Sequence, residues 1–107
     1  MMPSLDTLQR CAPMVAPTTI AAIIQIESGG NSLAIGVNAA GVKKPHPKTI
    51  QEAVIIASYY IQQGYTVDLG LMQINSRNLK GLGLTLEQAL DPCQNIQAGS
   101  RILTRSY

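Results

Sequence analysis

The sequence predicts a mainly α-helical domain in which one short segment, residues 31–48, is irregular or forms a short strand. The 107 residues suffice for one hydrophobic core but leave too little chain to bury a second. Apolar residues make up 46% of the chain and charged residues 13%, which excludes disorder driven by charge. Apolar stretches of helical spacing alternate with glycine, proline and capping residues, as in a set of short helices.

The first two helices are delimited by proline and glycine. A short helix is expected over residues 5–11, because Pro13 stops it. Pro17 suits a first helical position, and the following apolar segment runs to Ser28, ahead of two glycines. Apolar side chains occupy nearly the whole circumference of this second helix, so we expect it to be central and buried.

A short strand and a third helix are predicted next. Residues 33–37 can form the strand within the irregular segment. Thr49 and Glu52 form a capping box that opens a helix over residues 50–63, and Gly64 ends this helix.

Capping motifs also define the C-terminal part of the chain. An extended piece over residues 65–69 leads to a Gly-Leu-Met-Gln-Ile-Asn segment, and a helical turn is expected around residues 76–79. Thr85-x-x-Gln88 caps a short helix that ends at Leu90. Asp91-Pro92-x-Gln94 starts the last helix, which runs to the end of the chain.

Composition excludes two classes of partner. The net charge is +2, and the eight basic residues are spread along the chain, without the dense stripe that nucleic-acid binding requires. No apolar run reaches membrane-spanning length, so we expect no membrane insertion. The first four residues lack the basic and apolar regions of a signal peptide. Either the protein is cytosolic, or its targeting segment is not in this chain.

The two cysteines, Cys11 and Cys93, are too few and too far apart for a zinc cluster. They could be two buried free thiols, which pack as small apolar side chains. If they pair, the bridge closes a loop of about 80 residues, stabilises the domain by roughly 4 kcal/mol and implies an oxidising compartment. The residues alone leave both possibilities open.

Acid–base chemistry is restricted to six carboxylates and one histidine, so reaction classes can be tested by elimination. His46 stands between two prolines, and we expect it in a surface loop rather than in a site. Four carboxylates have structural places at helix caps, in first helical turns or near the terminus. These four are Asp6, Glu52, Glu87 and Asp91.

Two carboxylates remain without a structural place. Glu27 lies in the last turn of an apolar helix, where the helix dipole disfavours a negative charge. Desolvation at an apolar helix end raises the pKa of such a carboxyl and suits it for a general acid, although a solvated glutamate on a polar edge is the alternative. Asp68 is either a turn or cap residue, or a second carboxylate across a cleft of the kind that glycosidases use.

Two motifs, Ile26-Glu27-Ser28-Gly29-Gly30-Asn31 and Asp68-Leu69-Gly70-Leu71-Met72-Gln73-Ile74-Asn75, resemble the lytic transglycosylase domain, which is Slt-type and goose-lysozyme-like. The nearest branch is the VirB1-like one, which is associated with type IV secretion systems. That branch also tends to have cysteines at the positions of Cys11 and Cys93, so the resemblance implies a disulfide between them. It extends from about residue 5 to the end of the chain and implies an α+β lysozyme-like fold for residues 1–107.

The resemblance also implies site residues. It aligns Glu27 with the catalytic general acid and base, and Ser28 with the residue that supports it and contributes to substrate binding. The segment that lines the cleft and binds substrate is aligned with Gly70, Met72, Gln73, Ile74 and Asn75.

The implied reaction cleaves the bond between N-acetylmuramic acid and N-acetylglucosamine in peptidoglycan. Glu27 protonates the glycosidic oxygen, the substrate's N-acetyl group stabilises the oxocarbenium-like centre, and Glu27 then deprotonates the muramoyl C6 hydroxyl. The product is an anhydro sugar, and neither a metal nor a cofactor is required. The implied partners are peptidoglycan glycan strands and type IV secretion components. The domain itself is expected to be a monomer.

Two other functions fit the same residues. One is a lysozyme-type hydrolase in which Asp68 positions water, and the other is a non-catalytic peptidoglycan-binding or assembly module. The family's domain continues into a further helix with a Tyr-Asn pair, whereas this chain ends at Ser106-Tyr107, so we expect it to lack that helix. The expected location is the periplasm of a Gram-negative bacterium, with the signal peptide absent from this chain.

Overall fold

The structure is a computed structural model that describes residues 1–105, and in this part of the chain it contains six helices and one small sheet. The helices are α1 (Leu5–Cys11), α2 (Pro17–Glu27), α3 (Ile50–Gln62), α4 (Leu79–Leu82), α5 (Leu86–Leu90) and α6 (Pro92–Arg105). The strands are β1 (Ile35–Val37), β2 (Val67–Leu69) and β3 (Ile74–Asn75), and a 3-10 turn covers Ser76–Asn78. Ser106 and Tyr107, where the chain was expected to end short of a further helix, lie outside the described residues. The mainly α prediction with an α+β lysozyme-like fold is confirmed.

Side-chain caps start α3 and α5 where the sequence places them. Thr85 Oγ1 accepts the Gln88 N–H at 3.1 Å, and Gln88 Oε1 accepts the Thr85 N–H at 2.9 Å, which completes a capping box. Thr49 Oγ1 accepts the Glu52 N–H at 3.1 Å, but the Glu52 carboxylate reaches back to the Lys48 N–H at 3.3 Å. The predicted helix starts are confirmed. At α3 the Glu52 side chain accepts from the N–H of Lys48, one residue before the Thr49 N–H that a capping box would use.

The other carboxylates that were assigned structural places also occupy them. Asp91 Oδ2 accepts the Gln94 N–H at 3.0 Å at the start of α6, and Glu87 lies in the first turn of α5. Asp6 lies 3.4 Å from Arg10 in an exposed ion pair on α1. Such an exposed pair contributes little to stability. Asp91 and Glu87 act at the starts of their helices, so none of these three carboxylates is placed in a site.

The sheet is antiparallel, in the order β1-β2-β3. In its register Gly36 is paired with Asp68, and Asp68 with Asn75. Asp68 therefore lies in the middle of a strand, and its interpretation as a turn or cap residue is wrong. The strand residues that face the core are Ile35, Val67, Leu69 and Ile74.

Helix α2 is buried on one side only, so the expectation that it is buried all round is wrong. Ile20 and Ile24 are fully buried, whereas Ile26 is 83% exposed. An apolar circumference shows that a helix can be buried on every side, but burial requires other elements to cover each side. Among the described residues α1 packs on one side of α2, and the side that carries Ile26 is left open.

A disulfide joins Cys11 to Cys93, with a Cα–Cα distance of 5.3 Å and a sequence separation of 82. It ties the end of α1 to the start of α6, which also pack against each other. The possibility of two free thiols is thereby excluded.

Two further expectations concern the surface. His46 is exposed in the segment between β1 and α3, as predicted. No helix within residues 1–105 has both the length and the apolar character that crossing a membrane requires.

Asn95 on α6 is 0% exposed and uses its whole side-chain amide to hold other segments. Its Nδ2 donates to the carbonyl oxygens of Leu69 and Ala89, both at 2.7 Å, and its Oδ1 accepts the Met72 N–H at 2.8 Å. The amide therefore joins α6 to the end of β2, to α5 and to the segment that follows β2. All these partners are backbone groups that would otherwise be buried without hydrogen bonds.

We expect Asn95→Ala to lower the free energy of unfolding by about 3 kcal/mol, because it leaves buried backbone donors and acceptors unpaired. Gln97→Ala, at an exposed position on the same helix, is the matched control and should cost less than about 0.5 kcal/mol. Urea unfolding of both variants measures this, and equal midpoints would contradict the role assigned to Asn95.

We expect Cys11→Ala/Cys93→Ala to lower the free energy of unfolding by about 2–5 kcal/mol, because the bridge restricts the unfolded chain across a long loop. Reductant should lower the unfolding midpoint of the unaltered chain by a similar amount and leave the double variant unchanged. A midpoint that does not respond to reductant in the unaltered chain would show that the disulfide adds no stability.

Candidate active site

A tight turn over Gly70–Gln73 connects β2 to β3 and carries the Gly-Leu-Met-Gln motif. Gly70 has φ +72° and Gln73 has φ +51°, both in the left-handed region. The Gln73 N–H donates to the Gly70 carbonyl at 3.1 Å, and Gln73 Nε2 donates to the carbonyls of Gly70 at 2.9 Å and Ala34 at 3.1 Å. A left-handed conformation costs a non-glycine residue roughly 1 kcal/mol, and these side-chain bonds offset that cost.

Gly70 is a glycine for a reason internal to the fold. A Cβ at this position would lie 2.6 Å from Asn95 Nδ2, so a side chain here would displace the buried amide. Gly70 is itself buried and does not line the groove described below. The close approach that a glycine permits is thus made to Asn95.

Ser28 connects the end of α2 to the same turn. Its Oγ lies 2.8 Å from the Leu71 carbonyl oxygen and 3.2 Å from the Ile24 carbonyl oxygen, and it accepts the Gly30 N–H at 3.3 Å. Ser28 follows Glu27 directly, so its contacts fix the backbone that carries the carboxyl relative to the motif. The supporting role that the resemblance implies for Ser28 stays a prediction.

A groove of about 280 Å³ runs along the motif. Four residues predicted to bind substrate line it together: Met72, Gln73, Ile74 and Asn75. The opposite walls come from Ile23 on α2, from Asn78 and from the face of α6 that carries Gly99, Ile102 and Leu103. The structure thus brings most of the predicted cleft segment to one surface.

Glu27 stands at the C-terminal end of α2, four residues after the groove residue Ile23. Residues four apart lie on the same helix face, so the carboxyl is placed beyond one end of the groove. Glu27 is exposed, and within residues 1–105 its carboxylate takes part in no hydrogen bond or ion pair. The described residues therefore do not supply the burial that was expected at this helix end, because no element covers this side of α2.

Asp68 and Asn75 form a polar pair on the open face of the sheet. Asn75 Nδ2 donates to Asp68 Oδ1 at 2.9 Å, and Asn75 Oδ1 accepts the Arg77 N–H at 3.0 Å. Asn75 Nδ2 also lies 3.5 Å from Thr66 Oγ1. The two amides that were predicted to contact sugars, those of Gln73 and Asn75, are thus largely occupied by the fold, and their contacts with a substrate stay predictions.

Sequence reasoning missed the residues that α6 contributes. Asn95 lies in register with Ala98, Gly99 and Ile102, at the i, i+3, i+4 and i+7 positions of the apolar face of α6. A polar residue on an apolar stripe is the signal that could have identified it. Gly99 gives no comparable signal in the sequence, yet a Cβ there would collide with the Met72 side chain.

The chemistry available at this groove is that of one carboxyl and several amides. Within residues 1–105, no three side chains of histidine, cysteine, aspartate or glutamate come close enough to hold a metal ion. A carboxyl that reaches solvent at the end of an apolar groove can exchange a proton with a bound molecule.

Comparison with known proteins agrees with this geometry. Residues 7–107 match the family described as the transglycosylase SLT domain. The chain is 45% identical over 107 residues to the type IV secretion system protein virB1 of Brucella suis biovar 1, an alignment that covers 100% of this chain and 44% of that protein. It is 39% identical over 99 residues to protein virB1 of Agrobacterium fabrum, covering 92% of this chain and 40% of that protein. No solved structure matches significantly.

The chain spans less than half the length of these curated relatives. The family match nevertheless covers nearly all of it and includes the Glu27-Ser28 pair, the turn over Gly70–Gln73 and both cysteines. The chain therefore belongs to the transglycosylase SLT domain family, and its similarity to VirB1 proteins extends over its whole length.

Proposed function

We propose that this domain is a peptidoglycan lytic transglycosylase that cleaves the bond between N-acetylmuramic acid and N-acetylglucosamine. One observation supports the proposal most directly: Ser28, which follows Glu27 in sequence, bonds to the carbonyl of Leu71, the residue directly before the groove residue Met72. The match to the transglycosylase SLT domain family supports the same reaction.

The proposed mechanism uses Glu27 twice. Its protonated carboxyl donates to the glycosidic oxygen as the bond to the leaving sugar breaks. The substrate's N-acetyl oxygen stabilises the positive charge that develops at the muramoyl C1. The Glu27 carboxylate then removes the proton from the C6 hydroxyl, whose oxygen bonds to C1 and closes the anhydro ring. The carboxyl ends in its starting state, and no water is consumed.

The turn over Gly70–Gln73 supplies binding rather than proton transfer in this mechanism. Met72 and Ile74 form an apolar wall. The Gln73 side chain uses its Nε2 in hydrogen bonds to the backbone, whereas its Oε1 has no hydrogen bond within residues 1–105. A short apolar wall with few polar atoms suits an acetamido sugar, which has both a methyl group and amide atoms.

We further propose that the domain acts in the periplasm of a Gram-negative bacterium, where it opens the wall for a type IV secretion apparatus. The matched relatives are named as type IV secretion proteins, and the Cys11–Cys93 disulfide fits an oxidising compartment. The partners in this proposal are glycan strands and components of that apparatus.

The alternatives make different use of the same surface. A lysozyme-type hydrolase would need Asp68 to position water, but the Asp68 carboxylate is partly occupied by Asn75 and lies on the sheet face. A non-catalytic module would bind peptidoglycan through the groove without turnover. Product analysis separates all these functions, because hydrolysis yields reducing muramic ends, the transglycosylase yields anhydro ends, and the module yields neither.

We expect Glu27→Gln to reduce the release of anhydromuropeptides from purified peptidoglycan by at least about 100-fold, because the amide cannot act as the proton donor and acceptor. Mass spectrometry of the soluble products measures this. Glu87→Gln makes the same chemical change at an exposed position on α5 and should retain full activity. Equal activity of the two variants would contradict the role of Glu27, and an unaltered chain that binds peptidoglycan without releasing products would favour the non-catalytic module.

We expect Asp68→Asn to retain at least about half of the activity and to yield the same anhydro products. The asparagine keeps an oxygen that can accept the Asn75 hydrogen bond, and the proposed reaction requires one carboxyl only. Chromatographic separation of reducing and anhydro ends tests this. A loss of product on the scale of the Glu27→Gln loss would instead indicate the hydrolase with two carboxylates.

A further inference from the structure

A second groove is formed by α3 and by the segment that precedes this helix. It has a volume of about 470 Å³, larger than the groove beside Glu27. Ile55 and Tyr59 of α3 line one side, and Lys43, Lys44 and Pro45 line the other. This volume lies within the range of pockets that bind small molecules and short peptides.

The apolar side of this groove includes two large side chains that the core does not bury. Ile55 is 68% exposed and Tyr59 is 56% exposed, and the two lie one helical turn apart. The outward face of a surface helix is normally polar. Tyr60 and Ile56 pack against the core from the same helix, and Tyr59 contacts the edge of Tyr60 with ring centroids 5.1 Å apart.

The other side of the groove is positively charged and unpaired. No carboxylate lines it, and the ion pair found within residues 1–105 joins Asp6 to Arg10, on another part of the fold. Glu52 is the acidic residue of α3, and its carboxylate accepts the Lys48 N–H instead of pairing with a lysine ammonium. Lys43 and Lys44 thus present two ammonium groups beside an apolar surface.

We propose that this groove binds the acidic peptide stems of peptidoglycan. The inference rests on the proposed function, which places the domain on a polymer whose sugars carry such peptides. Carboxylates of the stem would pair with Lys43 and Lys44, and its aliphatic groups would lie on Ile55 and Tyr59. Neutral sugars have no charge for the lysines to recognise, and a flat membrane surface cannot fill a concave groove.

The size of the molecule allows both grooves to act on one piece of wall. Its longest dimension is 37 Å. An extended stem of four residues spans roughly 13 Å, and the stems of neighbouring sugars project at intervals along a bound strand. The second groove would therefore hold stems of the polymer that the first groove cleaves, and not necessarily the stem of the sugar that is cut.

The test uses the full chain and two soluble probes built on the disaccharide of N-acetylglucosamine and N-acetylmuramic acid. One carries a tetrapeptide stem on the lactyl carboxyl, and in the other, peptide-free probe that carboxyl is capped as the methylamide, so that it has no charge. We expect Lys43→Glu/Lys44→Glu to weaken binding of the peptide-bearing probe roughly tenfold and to leave binding of the peptide-free probe unchanged. Tyr59→Ser should weaken the peptide-bearing probe as well. Lys80→Glu/Arg101→Glu reverses two exposed charges outside the groove and is the matched control.

Three outcomes would overturn the proposal. The first is equal affinity of the unaltered chain for both probes, and the second is an equal effect of the groove and control variants. The third is binding to vesicles of anionic lipid that requires Lys43 and Lys44 while the peptide-bearing probe does not bind.

A separate measurement distinguishes this proposal from the proposed function. Glycan strands from which an amidase has removed the stems should be cleaved equally by the unaltered chain and by Lys43→Glu/Lys44→Glu. If neither cleaves any glycan, the transglycosylase proposal fails, and the binding measurements with the two probes still decide the role of the groove.

Discussion

The buried side-chain amide of Asn95 is the interaction on which the site depends. Its three hydrogen bonds, at 2.7 to 2.8 Å, satisfy backbone groups from β2, α5 and the turn over Gly70–Gln73. The side chains of Leu71 and Met72 bury the turn's apolar surface in the core, and the hydrogen bonds of the Asn95 amide fix the position of its backbone. Gly70 lacks a side chain because this amide occupies the space. The Gly-Leu-Met-Gln sequence therefore serves the packing of the turn against Asn95 as well as the lining of the groove.

The position of Glu27 follows from that turn through one hydroxyl group. Ser28 bonds to the Leu71 carbonyl, although the two residues are 43 apart in sequence. This bond fixes the end of α2 relative to the segment that Asn95 holds. The disulfide acts on the same frame from the other side, because Cys93 lies two residues before Asn95 on α6. A covalent bond and a buried amide within the first turn of one helix restrict how α1, α6 and the turn over Gly70–Gln73 can move relative to one another.

Much of this frame could be predicted from the sequence, and the parts that could not share a cause. Local signals set the helix boundaries, because caps such as Thr85 and Asp91 act within a few residues. The role of Asn95, the strand position of Asp68 and the exposure of Ile26 and Tyr59 all depend on which distant segments pack together. Periodicity reports that a helix face can be buried, and it does not report whether another element arrives to bury it. The pair Glu27-Ser28 was identified through its motif, whereas the hydrogen bond to Leu71 that gives the pair its geometry was not.

The exposure of Glu27 changes how its chemistry has to be understood. Under the proposed function Glu27 is a general acid, and residues 1–105 leave it exposed to solvent. The groove that begins one helical turn away is lined by Ile23, Met72, Ile74 and Leu103, so a glycan strand bound in it would cover the carboxyl with sugar and displace water. The desolvation that a buried helix end was expected to provide in advance would then be provided by the substrate. Under the proposed function, proton transfer by Glu27 therefore depends on a strand being bound.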